Sequence, residues 1–286
     1  MGSAHFTLLT PIFTAGVDQA RPELRVPSIK GQLRWWARAV LGNGRPEYDL
    51  FGGIKGKRVG FNEESVAGPF VFRLVTASLQ SEPRLLCPHD QNKGRRNALR
   101  PQANATFELH WSSRLAVRAA GASAALDHLI RTWLLLGSVG CRANRAAGSV
   151  WPAGYEPTVA EFQQEVAALS LPAHLAVRVL GEPVRDAEVL RSTATDTLQG
   201  QPPQTGNIRG RILGDVLGYV EGRNRKASAL KLKVGRFSDG YRLIAAFDLR
   251  VNRATKPQFQ TVADQLNRAR KPLGRDLNAA LAASPL

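Results

Sequence analysis

Cysteine, long apolar runs and secretion signals are scarce or missing in this sequence. Its 286 residues include two cysteines, Cys87 and Cys141, which form no CxxC pair. A disulfide scaffold or a structural zinc site is therefore not expected, and a reducing compartment is the default. No apolar stretch reaches the roughly 18 residues of a membrane-spanning helix, and the N-terminus lacks the basic and apolar regions of a signal peptide. We expect a soluble, cytoplasmic protein without a membrane partner.

Motifs typical of enzymes are equally sparse. The five histidines are dispersed without HxH or HxxxH spacing, so we expect no metal site. Neither a Walker loop nor a GxGxxG motif occurs, and we expect no nucleotide or other cofactor. Cys87 and His89 are near neighbours in one predicted loop, where a nucleophile and its base are seldom found together. None of these residues forms a recognisable catalytic motif, so we predict no catalytic residue.

The shortage of acidic residues leaves a strongly basic chain. Thirty-nine Lys and Arg face 23 Asp and Glu, which gives a net charge of +16 and a pI near 10.8. An excess of this size favours a polyanionic partner, either nucleic acid or an acidic membrane surface, over charge kept only for solubility. We favour nucleic acid as that partner.

Hydrophobic periodicity predicts alternating strands and helices. Strands are predicted at 5–13, 69–79, 105–112 and 174–180, with a hairpin over 230–251 that turns at 238–240. Helices are predicted at 29–41, 124–139, 159–169, 208–220 and 258–268, a long mobile loop at 81–104 and a linker at 193–207. This order suggests an α+β protein of two βαββαβ units, each with helices on one face of an antiparallel sheet and with long basic loops. We place the two domains at 1–155 and 156–286.

The first predicted helix, within PELRVPSIKGQLRWWARAVLG, has an apolar stripe of Leu33, Trp36, Ala37 and Val40 that belongs in a core. Ser28 is its predicted N-cap, directly after Pro27. Trp35 lies on a flank, where it can stack on a base or pack under a loop, and the pattern leaves both open.

The same helix carries a row of cations. Lys30, Arg34 and Arg38 recur every four residues, and no acid on the helix offsets their mutual repulsion. The alternative is a solvated face, on which the aliphatic part of each side chain covers apolar surface and the charged end reaches water. We favour an external polyanion, which would also be bound by the backbone amides of Lys30 and Gly31 near the helix N-terminus.

Other basic segments add to this one. They are Arg21 and Arg25 before the helix, the glycine-bounded Lys55, Lys57 and Arg58, the Gly/Arg loop at 137–150 with Arg142, Arg145, Gly148 and Ser149, and the segment 207–236 with Arg209, Arg211 and six further Lys or Arg. Each alone is more often solvated surface than a site. Together with the net charge they predict one groove that binds phosphate and sugar. A fifth cluster, Lys93, Arg95, Arg96 and Arg100, falls in the predicted mobile loop.

Five blocks of this sequence recur together in a known family. They are Thr10-Pro11, Pro22-Glu23-Leu24-Arg25, Ser-Ile-Lys-Gly…Leu-Arg-Trp-Trp at 28–36, Leu50-Phe51-Gly52 and the Gly/Arg loop. With them the chain resembles the RAMP superfamily of CRISPR-associated RNA-binding proteins. Within it, the chain is most similar to the first-numbered subunit of type III-B (Cmr) effector complexes. It departs from the family in the loop, where Asn144-Arg145-Ala146-Ala147-Gly148-Ser149 replaces a sequence closer to Arg-Arg-Gly-Phe-Gly-Ser.

The resemblance implies two ferredoxin-like, RRM-like domains and a position at the end of an effector filament. There the chain would bind the 3′ region of the guide RNA (crRNA), or the matching end of the target RNA, beside other effector subunits. The resemblance also implies that catalysis belongs to those partners. The alternative is an endoribonuclease that uses Asp18 with a metal or uses a histidine, although Arg21, Glu23 and Arg25 favour an ion-pair role for Asp18. A ribosomal or RNA-chaperone protein would explain the charge but not the shared blocks.

Overall fold

A computed structural model describes the chain except residues 17, 19, 43–44, 56–63, 77–78, 89–93, 103–104, 115–120, 200–218, 222–223, 227, 252–254 and 270–286. The helices are α1 Val26–Val40, α2 Arg45–Phe51, α3 Ser123–Leu136, α4 Val159–Ala168, α5 Ala187–Gln199 and α6 Lys256–Ala269, with a 3₁₀ turn at Ala143–Arg145. The strands are β1 Gly2–Leu8, β2 Gly52–Lys55, β3 Glu64–Ala67, β4 Phe70–Val75, β5 Ser81–Leu85, β6 Arg95–Leu99, β7 Phe107–Ser113, β8 Val150–Pro152, β9 Leu175–Val184, β10 Tyr219–Glu221, β11 Asn224–Lys226, β12 Leu230–Phe237 and β13 Gly240–Asp248.

The first half of the chain forms a ferredoxin-like unit. Its antiparallel sheet has the spatial order β4-β7-β1-β8, and the chain visits its elements in the order β1, α1, β4, β7, α3, β8. This is the βαββαβ connectivity, and it confirms the predicted fold class for this half. The hairpins β2–β3 and β5–β6 are separate two-stranded sheets inserted between these elements.

Alternating residues of β1 and the apolar stripe of α1 build the core of this unit. Phe6 is fully buried, stacks on Phe107 at 5.1 Å and meets Trp133 of α3 edge-on at 5.4 Å between ring centroids. Trp36 is also fully buried, as its helical spacing predicts. A Cβ at Gly137 would lie 2.3 Å from Cδ1 of Trp133 and 2.8 Å from Nε1 of Trp36, so glycine lets both indoles close over the end of α3.

The second half repeats most of the same plan. Its sheet has the order β12-β13-β9, and the chain runs β9, α5, β12, β13, α6, with the separate two-stranded sheet β10–β11 inserted between α5 and β12. This corresponds to the first five elements of a ferredoxin-like unit, and the described residues contain no fourth strand in this sheet. Trp151 of β8 packs on Phe162 of α4 and Phe237 of β12, with centroids 5.8 and 5.9 Å apart. One apolar core therefore joins the halves, and the domain division at 155 stays a proposal.

Two predictions near the N-terminus were wrong. The first strand ends at Leu8 rather than at residue 13, and Ile12 and Phe13 form only isolated bridges. The first helix begins at Val26, with Arg25 as its N-cap, so Ser28 lies inside the first turn and does not cap it. Pro27 is tolerated there because amides of the first turn have no carbonyl partner within the helix.

Two predicted irregular segments also differ. Residues 81–104 contain the β5–β6 hairpin, because short polar strands can pair without the alternation that marks a half-buried strand. The predicted linker at 193–207 begins inside α5, which extends to Gln199. The predicted helix at 208–220 lies outside the described residues except at its end, where β10 begins.

The hairpin β12–β13 turns through Ser238 and Asp239, as predicted. None of the helices in the described ranges is long and apolar enough to cross a membrane.

Candidate nucleic-acid interface

The cation row of α1 is partly neutralised by a neighbouring helix. Glu47 of α2 accepts hydrogen bonds through Oε1 from Nε of Arg34 at 2.9 Å and from Nη1 of Arg38 at 2.7 Å. Arg34 also donates through Nη2 to the carbonyl of Gly52. The helix itself carries no acid, as the sequence shows, but α2 supplies one, so the mutual repulsion of Arg34 and Arg38 is already reduced without an external polyanion.

The charges around Glu47 alter its acidity. Burial alone would raise the pKa of Glu47, but the hydrogen bonds and positive charges of Arg34 and Arg38 outweigh it and hold the pKa below its ordinary value. Lys30, the third cation of the row, is half-buried with its Nζ 5.7 Å from the centre of the Phe72 ring. Burial, and then the charge of Arg34, lower the pKa of Lys30.

Gly31 lies on the exposed face of α1. An added Cβ would have no atom within 4 Å, so packing does not require glycine here. Its three- and four-residue neighbours on the helix surface are Arg34 and Trp35, and the missing side chain leaves flat backbone between the cation row and the indole. Because α1 begins at Val26, the amides of Lys30 and Gly31 lie within the helical hydrogen-bond pattern and are not free phosphate donors, which corrects the prediction.

Trp35 connects α1 to the second half of the chain. The Nζ of Lys231, on β12, lies 3.9 Å from the centre of the Trp35 ring and donates to Oδ1 of Asn144 at 2.9 Å. Trp35 also meets Trp36 edge-on at 4.8 Å. The indole thus packs beneath a lysine of a strand, an arrangement that neither sequence-based alternative anticipated. Through Lys231, the Trp35 flank of α1 and the Gly/Arg loop lie side by side.

The C-terminal end of α1 is held by the second half as well. Nη1 of Arg250 donates to the carbonyl of Arg38 at 2.9 Å, and Nε2 of His174 lies 2.8 Å from the carbonyl of Ala39. Asp248 pairs with Arg250 at 2.9 Å and holds it in place. A cation at the last carbonyls of a helix is favourable, so α1 is fixed at the junction between the two halves.

The Gly/Arg loop owes its shape to left-handed residues and buried hydroxyls. Arg142 and Ala146 have φ 61°, and Gly148 has φ 62°. A Cβ at Gly148 would lie 1.9 Å from the carbonyl oxygen of Val139, so only glycine fits. Thr10 donates to the carbonyl of Ala146 at 2.6 Å and fastens the loop to the end of β1.

Gly148 and Ser149 were predicted to contact RNA, and their burial corrects that prediction. Ser149 is fully buried and accepts a hydrogen bond from the amide of Val234 at 3.0 Å. The amide of Gly148 donates to the carbonyl of Pro11 at 2.9 Å, and that of Ala146 to Leu232 at 3.1 Å. These groups shape the loop, which leaves the half-buried side chains of Arg142 and Arg145 to reach a ligand.

Both loop arginines touch other elements. Nη2 of Arg142 lies 2.5 Å from Sγ of Cys87, next to the β5–β6 hairpin. Nη1 of Arg145 lies 3.3 Å from Oγ of Ser228, just before β12. The loop therefore extends from the α1 junction to the segment that directly follows β5.

The segment before α1 is more exposed. Asp18 lies 3.6 Å from Arg21, whose side chain is 88% exposed, and Arg25 lies 3.8 Å from Glu23. Asp18 thus has the ion-pair partner that its neighbours suggested. In the described part of the chain, no group of three or more His, Cys, Asp or Glu side chains is placed to hold a metal ion.

Five of the predicted RNA-binding positions fall wholly or partly outside the described ranges. Lys57, Arg58, Arg209 and Arg211 lie outside the described residues, as does the side chain of Lys55, whose backbone ends β2.

Two lysines assigned to the basic segment 207–236 are in fact buried. Lys231 is 9% and Lys233 1% exposed, and Lys233 donates to the carbonyl of Leu134. Burial lowers the pKa of Lys231 to about 8, partly opposed by the charge of Asp248. Burial also lowers the pKa of Lys233, and the charge of Arg131 adds to this. The alternation in LKLK predicts solvent-facing lysines, so the sequence carried no signal for these contacts.

Residues 5–151, slightly more than half of the chain, match the family model of the RAMP superfamily. The chain belongs to the RAMP superfamily. The match spans the whole first ferredoxin-like unit except the start of β1 and the end of β8, and it includes both α1 and the Gly/Arg loop. The RAMP blocks at 28–36 and 137–150 are thus the elements that Lys231 brings together.

Individual relatives align with this chain either over a short stretch or at low sequence identity. The Cmr subunit Cmr1-2 of Pyrococcus furiosus is 47% identical over 34 residues, which are 12% of this chain and 18% of that protein. The crystal structure of Cmr1 from Pyrococcus furiosus without ligand aligns with a TM-score of 0.53 at 18% identity, over 86% of this chain and 87% of that one. A chain of the type III-B Cmr-beta complex bound to cognate target RNA aligns with a TM-score of 0.56 at 9% identity, over 93% and 98%. The RAMP fold therefore extends over most of the chain.

Proposed function

We propose that this RAMP protein is a non-catalytic RNA-binding subunit of a cytoplasmic type III-B CRISPR effector complex. It would bind the 3′ region of the guide RNA (crRNA), the end of the guide–target duplex, or both, beside other effector subunits. The observation that carries the proposal is the contact of Lys231 with both Trp35 and Asn144, because it sets the Trp35 flank of α1 beside the Gly/Arg loop.

This surface suits recognition of an RNA backbone. Arginine guanidinium groups bind phosphate oxygens with paired hydrogen bonds. Arg34 and Arg38 lie within one turn of Trp35 on α1, and Arg142 and Arg145 lie beside Asn144 in the Gly/Arg loop. Gly31 provides flat backbone among them, where a ribose can approach closely. Contacts of this kind read shape and charge rather than base sequence.

The same surface offers little for catalysis. Asp18 is exposed and paired with Arg21, and it lies in no described cluster of metal ligands. A subunit that binds RNA for partners that cleave it needs no such group. The endoribonuclease alternative is therefore kept as an outcome of the test.

One assay tests binding and cleavage together. The purified chain is incubated with labelled guide-repeat RNA and target RNA, with and without Mg²⁺, and the products are resolved on native and denaturing gels. We expect intact RNA that is shifted on the native gel, with affinity falling as salt rises by a logarithmic slope of about 0.7 for each neutralised phosphate of a single strand. Metal-dependent fragments that disappear in Asp18→Ala would establish the nuclease instead. Absence of any shift at low salt would refute RNA binding by the isolated chain.

A further inference from the structure

The β5–β6 hairpin is a basic element whose arginines take part in none of the contacts described above. It forms its own two-stranded sheet, with Arg84 directly opposite Arg96 and Leu85 opposite Arg95. Its described residues at 81–88 and 94–100 carry four arginines and one glutamate. At the start of β6, Arg95, Arg96 and Asn97 are all exposed, and the Asn97 side chain donates to the carbonyl of Ala20 at 3.0 Å.

The arginines divide between the two faces of the hairpin. Residues two apart in a strand share a face, so Arg84, Arg96 and Arg100 lie on one face, which we call the Arg96 face. Glu82 shares that face and contacts Arg84 at 2.6 Å and Arg100 at 3.8 Å. Arg95 lies on the opposite face.

The charge on the Arg96 face is not balanced by the described protein. Like charges directly opposite one another in a sheet repel, and Arg84 and Arg96 are such a pair. Glu82 is shared by Arg84 and Arg100, and among the described residues Arg96 has no ion pair. An external anion bound between Arg84 and Arg96 would attract both side chains and offset their mutual repulsion.

The inner end of the hairpin is firmly placed. Leu99 exchanges two backbone hydrogen bonds with Ile12, at 2.9 and 3.1 Å. Ala98, on the same face as Arg96, is buried in a cluster with Phe13 and Ala147 of the Gly/Arg loop. The Arg96 face is therefore anchored next to the Gly/Arg loop, through the contact of Ala98 with Ala147.

We propose that the Arg96 face is a second binding surface for the ribose-phosphate backbone of RNA, continuous with the Gly/Arg loop. This inference rests on the proposed RNA-binding function and extends it to a separate element. RNA is favoured over an acidic protein segment because the face continues a surface that already presents arginines, and because phosphates spaced along a strand can meet Arg84, Arg96 and Arg100 in succession.

The hairpin contains its own matched control. Arg96→Ala and Arg95→Ala remove the same charge from adjacent exposed positions on opposite faces. Binding of a fluorescent single-stranded RNA is measured by anisotropy over a series of salt concentrations. We expect Arg96→Ala to weaken binding and to reduce the logarithmic salt slope by about 0.7, the value for one phosphate contact. Arg95→Ala should leave that slope unchanged, and Glu82→Gln should tighten binding because it releases Arg84 and Arg100.

The outcomes separate the two proposals. If the unmodified chain does not bind RNA, the proposed function fails before the hairpin is tested. If the chain binds RNA but Arg96→Ala and Arg95→Ala give the same affinity and slope, the Arg96 face is not an RNA surface, and an acidic protein partner becomes the better explanation. Thermal melting checks folding, and Arg96→Lys, which keeps the charge, should retain most of the binding and the full salt slope.

Discussion

At the scale of single residues, Gly31 separates the needs of folding from those of binding. Glycine inside a helix is less stable than alanine by about 0.5–1 kcal/mol, and no neighbour prevents a side chain at this position. We predict that Gly31→Ala raises the free energy of unfolding by about that amount and yet weakens RNA binding, because the methyl group occupies the closest point of approach. Denaturant unfolding and RNA titration measure the two effects.

The control for Gly31→Ala is Gln164→Ala on the exposed face of α4. It also favours helix formation but lies on a helix that contributes no residue to the proposed interface, so RNA affinity should not change. A Gly31→Ala variant that binds RNA as tightly as the unmodified chain would show that no ligand approaches this position.

Residue roles were predictable where they follow from local spacing. The periodicity of α1 placed Trp36 in the core, and it is fully buried. Ser149 looked like an RNA contact because it follows a glycine-rich basic segment. Its actual role depends on Val234, which is far away in sequence, and no local pattern reports such a partner.

At the scale of elements, the packing of α2 against α1 decides how much positive charge α1 presents. Glu47 holds Arg34 and Arg38 through charge-assisted hydrogen bonds, so it competes with phosphate for them. We predict that Glu47→Gln tightens RNA binding and increases its salt dependence, and that it lowers the stability of the free protein. Anisotropy titration and chemical denaturation test the two parts.

The stability loss in Glu47→Gln should depend on pH. The folded-state pKa of Glu47 lies below its ordinary value, so its stabilising effect is complete above the unfolded-state pKa and disappears as the pH falls through the folded-state pKa. The two proteins should therefore converge in stability in acid. Unchanged or weaker RNA binding by Glu47→Gln would mean that Arg34 and Arg38 serve only the packing of α2.

The β5–β6 hairpin shows the limit of prediction for elements. Its sequence is polar and rich in Arg, Asn and Pro, which is typical of a loop. It forms paired strands because Ala98 and Leu99 are buried against Phe13 and Ile12. That anchoring is tertiary, and composition alone does not reveal it.

At the scale of the whole molecule, Lys231 links the two halves at an energetic cost. Its pKa is lowered to about 8 from an ordinary 10.5, mainly by burial. Between these values the unfolded chain binds the proton more tightly than the folded chain, so stability should rise as the pH increases from about 8 to 10. We predict that Lys231→Met removes part of this rise, while buried Lys233 leaves the remainder. Urea unfolding at a series of pH values measures the effect.

A difference in stability between Lys231→Met and the unmodified chain that is constant from pH 7 to pH 10 would contradict this prediction. Lys231→Arg is the companion variant, because arginine stays charged throughout this range.

The main strands and helices of the first half, the α+β fold class, the core face of α1 and the basic character were determined by the sequence itself. They depend on periodicity, turn chemistry and charge, which are local or additive properties. Tertiary structure alone decided which cations remain available. Glu47 forms ion pairs with two of them, burial removes Lys231 and Lys233 from the surface, and Arg96 on the hairpin is exposed to solvent. The reason is physical: the free energy of a charge depends on its solvent and its nearest counter-charge, and folding sets both by bringing distant segments together.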